Sequence, residues 1–263
     1  MKPRLTLPLA LSAVLAALVL LDGSGAGAAG SCGGRRVTMT GTPGNDVIRG
    51  HQRPDVIEAG DGDDRILSNG ADDVVCAGEG DDTVLGGDGS DRIYGEGGND
   101  DIDGQSGNDR IEGGAGNDVL DENDGDGTVI GGEGDDRIRG YIGIDTAKGG
   151  PGNDAITAGI GFDTLIGGPG DDRLEPGKGD DVVDGGPGSD TAVYAHERAA
   201  VSVDLEKRST IHAAGRDSLP SIENLTGSRF DDTLLGNSGP NILRGGPGND
   251  RLKGRGGGDT IEQ

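Results

Sequence analysis

The sequence predicts an all-β solenoid assembled from nine-residue repeats, and three observations support this fold class. Residues 41–193 divide into seventeen nine-residue units without an insertion or a deletion. Glycine accounts for 56 of the 263 residues, whereas only 31% of the residues are hydrophobic and 2% are aromatic. A globular enzyme of this length would have about 45–50% apolar residues. The chain therefore cannot enclose a thick core, and a thin, repetitive core fits its composition.

The net charge excludes further classes of protein. The chain has 48 acidic and 23 basic residues, which gives a formal net charge of −25. Such a chain would repel a phosphate backbone, so no nucleic-acid partner is expected. Collagen is excluded because glycine does not recur at every third position. Three classes remain: an acidic disordered chain, a thin solenoid, or a chain that folds when a cation arrives.

Residues 1–28 are predicted to be a signal peptide. Lys2 and Arg4 precede an apolar run over residues 5–21, which an Ala-Gly-Ala cleavage site follows. A proline and polar residues within this run argue against a transmembrane anchor. The protein is therefore expected to be secreted, with no membrane span after cleavage. Residues 29–40 would then form a short N-terminal cap ahead of the repeats.

Each position of the repeat has a characteristic residue type. Position 6 is Asp in sixteen of the seventeen units, with Gly127 as the exception. Position 4 is Gly in fifteen units, and position 8 is Val, Ile or Leu in fifteen. Positions 1 to 6 are rich in residues that tolerate positive φ and favour turns. Positions 7 to 9 predict a short strand whose middle residue points inward. Four more units occupy residues 227–262.

This pattern resembles the G-G-x-G-x-D-x-U-x nonapeptide of the repeats-in-toxin, or hemolysin-type, calcium-binding proteins. The resemblance covers about 190 residues. It implies a parallel β-roll, a right-handed β-solenoid in which two units close one coil. Residues 41–193 would form the main calcium-binding β-roll, and residues 227–263 would form a C-terminal repeat block.

The stacked carboxylates of position 6 predict multiple bound calcium ions. Units two apart lie on the same side of the roll, so their Asp side chains repel one another unless a cation neutralises them. Calcium accepts six to eight oxygen ligands and combines carboxylates with backbone carbonyls, whereas magnesium requires strict octahedral geometry. Zinc prefers His and Cys, which this chain has in small number. The resemblance implies that each ion lies between successive turns and is bridged by both Asp residues.

The predicted calcium ligands form two columns and a short C-terminal set. The first column is Asp46, Asp64, Asp82, Asp100, Asp118, Asp136, Asp154, Asp172 and Asp190. The second column is Asp55, Asp73, Asp91, Asp109, then Gly127, then Asp145, Asp163 and Asp181. The C-terminal set is Asp232, Asp250 and Asp259. Because Gly127 has no carboxylate, weakened or missing sites are expected on either side of it, with Asp124 and Asp126 as partial replacements.

Residues 194–226 interrupt the repeat and are predicted to form a strand-containing insert. Val201, Val203 and Leu205 alternate with polar residues, which indicates a strand. The following Ile-Glu-Asn-Leu-Thr-Gly-Ser segment looks like the linker between repeat blocks in the resembled family. The favoured arrangement is a strand-turn-strand unit that stacks on the roll, and the alternative is a mobile hinge between two rolls.

Cys32 and Cys76 are the two cysteines, and an even number in a secreted chain favours one disulfide. Regular stacking of the cap would separate them by about 10 Å along the roll axis. A disulfide requires Cα atoms within about 7 Å of each other. Either the cap folds over the roll or the thiols stay free, and the disulfide is the favoured alternative.

No sequence motif indicates catalysis, so the chain is not expected to be an enzyme. The segments typical of serine and cysteine nucleophiles or of zinc proteases do not occur. His51, His196 and His212 are expected to be solvent-exposed. The leading hypothesis is a secreted, non-catalytic protein that folds on binding calcium and has a structural or binding role outside the cell. The alternatives are an adhesive or toxin-like surface-interaction protein, for which the mature chain shows no apolar or amphipathic segment, and a calcium-dependent hydrolase. The protein partner is unknown, and self-association remains open.

Overall fold

A computed structural model describes residues 31–263, and the predicted signal peptide lies outside these residues. All regular secondary structure in the described part consists of β-strands, which confirms the predicted all-β class. No helix that is long and apolar enough to cross a bilayer occurs among these residues.

The strands are short and follow one another at nearly constant spacing. In chain order they are β1 (Ser31–Cys32), β2 (Arg35–Arg36), β3 (Met39–Thr40), β4 (Val47–Arg49), β5 (Val56–Asp61), β6 (Arg65–Leu67), β7 (Val74–Glu79), β8 (Thr83–Asp88), β9 (Arg92–Gly97), β10 (Asp101–Ser106), β11 (Arg110–Ala115), β12 (Val119–Asp124), β13 (Thr128–Glu133) and β14 (Arg137–Ile142). They continue with β15 (Thr146–Lys148), β16 (Ala155–Ile160), β17 (Thr164–Ile166), β18 (Arg173–Lys178), β19 (Val182–Asp184), β20 (Thr191–Val193), β21 (Ser202–Asp204), β22 (Ser209–Ile211), β23 (Asn224–Thr226), β24 (Thr233–Leu235), β25 (Ile242–Arg244), β26 (Arg251–Lys253) and β27 (Thr260–Glu262).

Alternate strands belong to two parallel sheets. The even-numbered strands from β4 to β20, followed by β23, β25 and β27, form a twelve-stranded sheet. The odd-numbered strands from β3 to β19 form a nine-stranded sheet. Neighbours within the repeat region pair in parallel with residues 18 apart, as Ile102 does with Leu120. Two nine-residue units therefore close one coil, which confirms the predicted parallel β-roll.

The hydrophobic core is a row of aliphatic side chains between the two sheets. Position 8 supplies one of them from each unit, and Ile93, Ile102, Ile111 and Leu120 are fully buried. Burying a single large aliphatic residue in nine accounts for the low hydrophobic content of the chain, since no second layer of apolar residues is needed.

Eleven strands are longer than the three residues predicted for each unit. β11, for example, runs over six residues, because pairing continues into the next unit through Gly114 and its partner Gly132. The turns follow after positions 2 and 4, where the chain adopts positive φ, as at Gly114 (123°) and Gly116 (137°). Glycine suits these positions because it lacks a Cβ.

The insert contains an antiparallel hairpin that lies in line with the repeats. β21 pairs with β22 in antiparallel fashion and with β24 in parallel fashion. Strand β23 joins β20 to β25 in the twelve-stranded sheet. Val203 and Leu205 are buried in the main core. The alternating apolar residues thus pack the insert onto the roll.

The N-terminal cap folds over the roll and forms the predicted disulfide. β1 and β2 make an antiparallel hairpin around Gly33 and Gly34, both of which have positive φ. Cys32 is bonded to Cys76, with their Cα atoms 5.8 Å apart. Because the hairpin reverses the chain, Cys32 does not occupy a regularly stacked unit, and the expected separation of about 10 Å does not arise.

Candidate metal centre

The predicted ligand residues of position 6 point into the turns at the two edges of the roll. All the Asp residues of the first and second columns are buried, as is Asp232. Asp250 and Asp259 are half-buried because the roll ends beside them. A chain with −25 net charge thus places its most regular carboxylates inside the fold, where an unpaired charge is unfavourable.

One oxygen of each carboxylate connects successive turns. The backbone amide of Asp82 donates to Oδ1 of Asp100 at 2.9 Å, and the amide of Asp100 donates to Oδ1 of Asp118 at 2.9 Å. The same bond recurs every 18 residues along both columns, except that Gly127 has no carboxylate to accept from the amide of Asp109. The first column is therefore a continuous ladder, and the second is interrupted once, at Gly127.

The other carboxylate oxygen is buried and has no hydrogen-bond partner among the described residues. This holds for Oδ2 of Asp64, Asp73, Asp82, Asp91, Asp100, Asp109, Asp118, Asp136, Asp145, Asp154, Asp163, Asp172, Asp181, Asp190 and Asp250. A Cβ built on Gly140, at position 1, would lie 2.5 Å from Oδ2 of Asp145 and 2.7 Å from the carbonyl oxygen of Ala158 in the next turn. Position 1 thus brings backbone oxygens close to Oδ2 and leaves little room for a side chain.

Burial changes the acid–base behaviour of these carboxylates. Desolvation is the largest cause; it raises the pKa to about 7 for Asp73, Asp100, Asp109, Asp154 and Asp181, and to about 6 for Asp82, Asp136, Asp163 and Asp190. The amide hydrogen bond to Oδ1 opposes this rise, whereas the charge of the neighbouring Asp in the column adds to it. A cation beside Oδ2 would relieve both the desolvation and the repulsion.

The donor set of the turns fits calcium. Within residues 31–263, no place gathers three or more Asp, Glu, His or Cys side chains in metal-binding geometry. A bound ion would therefore combine carboxylates of successive turns with backbone carbonyl oxygens. Calcium accepts such a mixed, flexible set of oxygen ligands, whereas zinc prefers nitrogen and sulfur.

The turn at Gly127 contains a carboxylate that sequence reasoning missed. Asp124 and Asp126 are exposed, so neither takes the place of the missing aspartate. Glu122, at position 1 of the same unit, is 0% exposed and points at Gly127. The sequence signal was the single acidic residue at position 1 in seventeen units.

The insert continues both columns with residues that the sequence did not assign to them. The amide of Asp181 donates to Oδ1 of Asp217 at 3.2 Å, and the amide of Asp190 donates to Oε2 of Glu223 at 3.1 Å. Asn241 then follows Glu223 in the first column, and its amide donates to Oδ1 of Asp259 at 3.1 Å. The columns therefore extend beyond residue 193.

Asp217 differs from the regular turns because protein groups bind both of its oxygens. The Tyr194 hydroxyl donates to Oδ2 at 2.9 Å, and Nε2 of His212 lies 3.3 Å from each oxygen. The His212 side chain is fully buried, whereas it was expected to be exposed, and that expectation was wrong. His196 is exposed as expected, with 80% of its side chain accessible, and the His51 side chain is 41% accessible.

Position 5 carries a second ladder on the outer surface. The amide of Asn117 donates to Oδ1 of Asn99 at 2.9 Å, and the amide of Asp135 donates to Oδ1 of Asn117 at 2.8 Å. These side chains are exposed and bonded to the protein, so they do not need a cation. The sequence reasoning had assigned no role to this position.

An apolar patch lies at the surface of the second column. Ile144 and Phe162 occupy position 5 in consecutive turns and are 56% and 62% exposed. Ile142 and Ile160, which pair across β14 and β16, are also exposed. The sequence did not indicate this patch because its two parts, Ile142 with Ile144 and Ile160 with Phe162, are 18 residues apart and adjoin only when the coils stack.

A solenoid with a buried, unpartnered carboxylate in nearly every turn is typical of cation-binding repeat proteins. The family model described as the RTX calcium-binding nonapeptide repeat matches residues 40–75, 77–111, 97–129, 123–156, 130–165, 157–192 and 226–261. The chain belongs to this family.

The chain is similar to the X-ray crystal structure of a hyperactive, Ca2+-dependent, beta-helical antifreeze protein from an Antarctic bacterium, with 16% sequence identity and a TM-score of 0.45. That likeness covers 86% of this chain and 83% of the antifreeze protein. No curated protein matches the chain.

Proposed function

We propose that this chain is a secreted, non-catalytic protein that binds multiple calcium ions along its two columns and has a structural or binding role outside the cell. The observation that carries the proposal is the buried Oδ2 of position 6, which lacks a partner in turn after turn. Each ion would be held by Asp carboxylates of successive turns together with backbone carbonyls. Membership of the calcium-binding repeat family supports the choice of ion.

Calcium binding is proposed to drive folding. Without a cation the folded state retains a row of desolvated, mutually repelling carboxylates, while each unit contributes one buried aliphatic residue. Extracellular calcium-binding modules have dissociation constants of about 10⁻⁴–10⁻³ M. A chain with such affinity stays open at low intracellular calcium and folds after export.

The test is a calcium titration of residues 29–263, monitored by far-UV circular dichroism. The protein is first stripped with a chelator, and magnesium serves as the control ion. We expect a cooperative gain of β signal with calcium only, at a sub-millimolar to millimolar midpoint. A spectrum that is already β-rich in chelator, or one that stays disordered in millimolar calcium, would contradict calcium-driven folding.

One structural feature favours the alternative of a surface-interaction protein. The exposed apolar patch around Ile144 and Phe162 provides an adhesive surface that the sequence did not reveal. This role is compatible with calcium binding, because the patch lies on the outer face and the carboxylates lie inside the turns.

A further inference from the structure

The Gly127 turn departs from the repeat at two positions of one unit. Residues 122–130 have Glu at position 1 and Gly at position 6. The other sixteen units of residues 41–193 have Gly, Ala, Ser or Pro at position 1 and Asp at position 6. A long side chain at position 1 thus occurs only where position 6 has none.

The Glu122 side chain fills the place that an Asp at position 6 would take. A Cβ built on Gly127 would lie 2.5 Å from Oε1 of Glu122. In the next turn of the second column, position 6 supplies the carboxylate and position 1 is Gly. A Cβ built on Gly140 would lie 2.5 Å from Oδ2 of Asp145. Positions 1 and 6 therefore compete for one space, and either can supply the carboxylate that occupies it.

In a regular turn only Oδ2 lacks a hydrogen-bond partner, whereas Glu122 lacks one at both oxygens. Both Oε1 and Oε2 are buried without a hydrogen-bond partner among the described residues, as are Oδ2 of Asp109 and Oδ2 of Asp145 in the adjacent turns. Desolvation raises the pKa of Glu122 to about 8, the charges of Asp145 and Asp109 add to the rise, and the nearby backbone amide of Asp109 opposes it. Three consecutive turns thus present free carboxylate oxygens to one another, an arrangement that a cation would stabilise.

We propose that Glu122 is a calcium ligand that replaces the aspartate of position 6, so that the second column of cation sites runs unbroken from Asp55 to Asp181. The inference rests on the proposed calcium binding of the regular turns. The amide of Gly127 keeps the ladder bond to Oδ1 of Asp145 at 3.0 Å, so the turn retains the regular backbone connection. The gaps on either side of Glu122 then have a carboxylate from each turn. Complete sites beside Gly127 would replace the weakened or missing sites expected from the sequence.

The experiment counts calcium ions bound per chain by equilibrium dialysis at saturating calcium. In Glu122→Gln the side chain keeps its shape but cannot carry the charge. We expect this variant to lose at least one ion relative to the wild-type protein, because the carboxylate lies between two inter-turn gaps. Asp124→Asn and Asp126→Asn are the matched controls, since they remove a charge from the exposed part of the same unit, and both are expected to keep the wild-type number.

A reciprocal exchange tests the same inference without relying on one substitution. Glu122→Gly alone removes the carboxylate and is expected to lose ions as Glu122→Gln does. The double variant Glu122→Gly/Gly127→Asp restores the regular repeat and is expected to regain the wild-type number. Gly127→Asp alone places two carboxylates in one space and is expected to bind fewer ions.

The outcomes separate this inference from the proposed function. A wild-type protein that binds no calcium would overturn calcium binding altogether. A wild-type protein that binds calcium, with a Glu122→Gln variant that binds the same number of ions, would show that Glu122 is a neutral buried residue and would overturn the inference. If circular dichroism shows that Glu122→Gln does not fold in calcium, the double variant decides: the wild-type number supports the inference, and a smaller number refutes it.

Discussion

The second column contains two irregular turns, at Glu122 and at Asp217, and they treat a buried carboxylate in opposite ways. Neither oxygen of Glu122 accepts a hydrogen bond of regular geometry within residues 31–263, although the nearby Asp109 amide opposes the rise of the Glu122 pKa that burial causes. Asp217 receives the Tyr194 hydroxyl, the Asp181 amide and the His212 ring. Both side chains are fully buried or nearly so.

The difference shows how this fold satisfies a charge inside a turn. Along the repeats the protein supplies one amide per carboxylate and leaves the second oxygen free, which suits a cation shared between turns. At Asp217 the regular units end, and side chains of the insert supply the donors instead. A hydroxyl and an imidazole thus take the role that we propose for the ion elsewhere. We therefore expect the proposed column of ions to stop before Asp217.

Removing the Asp217 carboxylate is expected to give the largest effect. Asp217→Ala leaves the Tyr194 hydroxyl, the His212 ring and the Asp181 amide without their buried acceptor. Breaking a buried, hydrogen-bonded charge pair costs about 3–5 kcal/mol. Chemical denaturation at saturating calcium measures this loss, and the number of bound calcium ions should stay unchanged. The exposed Asp101 offers the control, since Asp101→Ala should change stability by less than about 0.5 kcal/mol. A loss of calcium in Asp217→Ala would show that Asp217 binds an ion after all.

Removing one donor should make the Asp217 turn behave like the Glu122 turn. Tyr194→Phe keeps the buried ring but leaves Oδ2 of Asp217 unpartnered, at a cost of about 1–3 kcal/mol. At higher calcium concentration the loss should shrink, because mass action favours an ion at the freed oxygen. Denaturation curves across a calcium series measure this change, with Tyr94→Phe beside the disulfide as the control. An equal loss at every calcium concentration would mean that the freed oxygen attracts no ion.

The fold could be predicted from the sequence because every unit has the same residue types at the same positions, so the same local interactions recur in each coil. The nine-residue period, the Asp of position 6 and the aliphatic residue of position 8 determined the coil, the two columns and the core. The strands were longer than predicted because their pairing depends on backbone groups of positions 1 to 3, which no side-chain pattern marks. The cap could not be placed by register, since Gly33 and Gly34 turn the chain back before stacking begins.

The irregular parts of the site depend on contacts that the period does not encode. Gly127 indicated a gap when position 6 was considered alone, whereas the structure links it to position 1 through Glu122. His212 and Tyr194 lie in the insert, where no register relates them to Asp217. Their approach requires the hairpin of β21 and β22 to stack on the roll. Residues outside a repeat therefore need the three-dimensional structure before a role can be assigned.

The smallest expected effect is a change in how stability depends on pH. It would test whether a charged His212 stabilises Asp217, which distinguishes this turn from the Glu122 turn. His212 faces Asp217, Glu197 and the ring of Tyr194, and the charge of Asp181 lies nearby. Burial alone would lower the pKa of His212, but the hydrogen bond to Asp217 and the charges of Asp217 and Glu197 outweigh it and raise the pKa above its usual value.

A histidine whose pKa is raised by folding stabilises the native state below its unfolded pKa of about 6.5, and this stabilisation is lost as the pH rises through the folded pKa. At saturating calcium, the free energy of unfolding should therefore fall as the pH rises above about 6.5, and the fall should be smaller in His212→Gln. His196→Gln, at an exposed histidine beside Glu175, should keep the wild-type slope. If His212→Gln shows the same slope as the wild type, the imidazole does not carry a charge in the folded protein. Asp217 would then accept hydrogen bonds from neutral donors only. Its side-chain donors would not replace the positive charge that we propose for the ion in the regular turns.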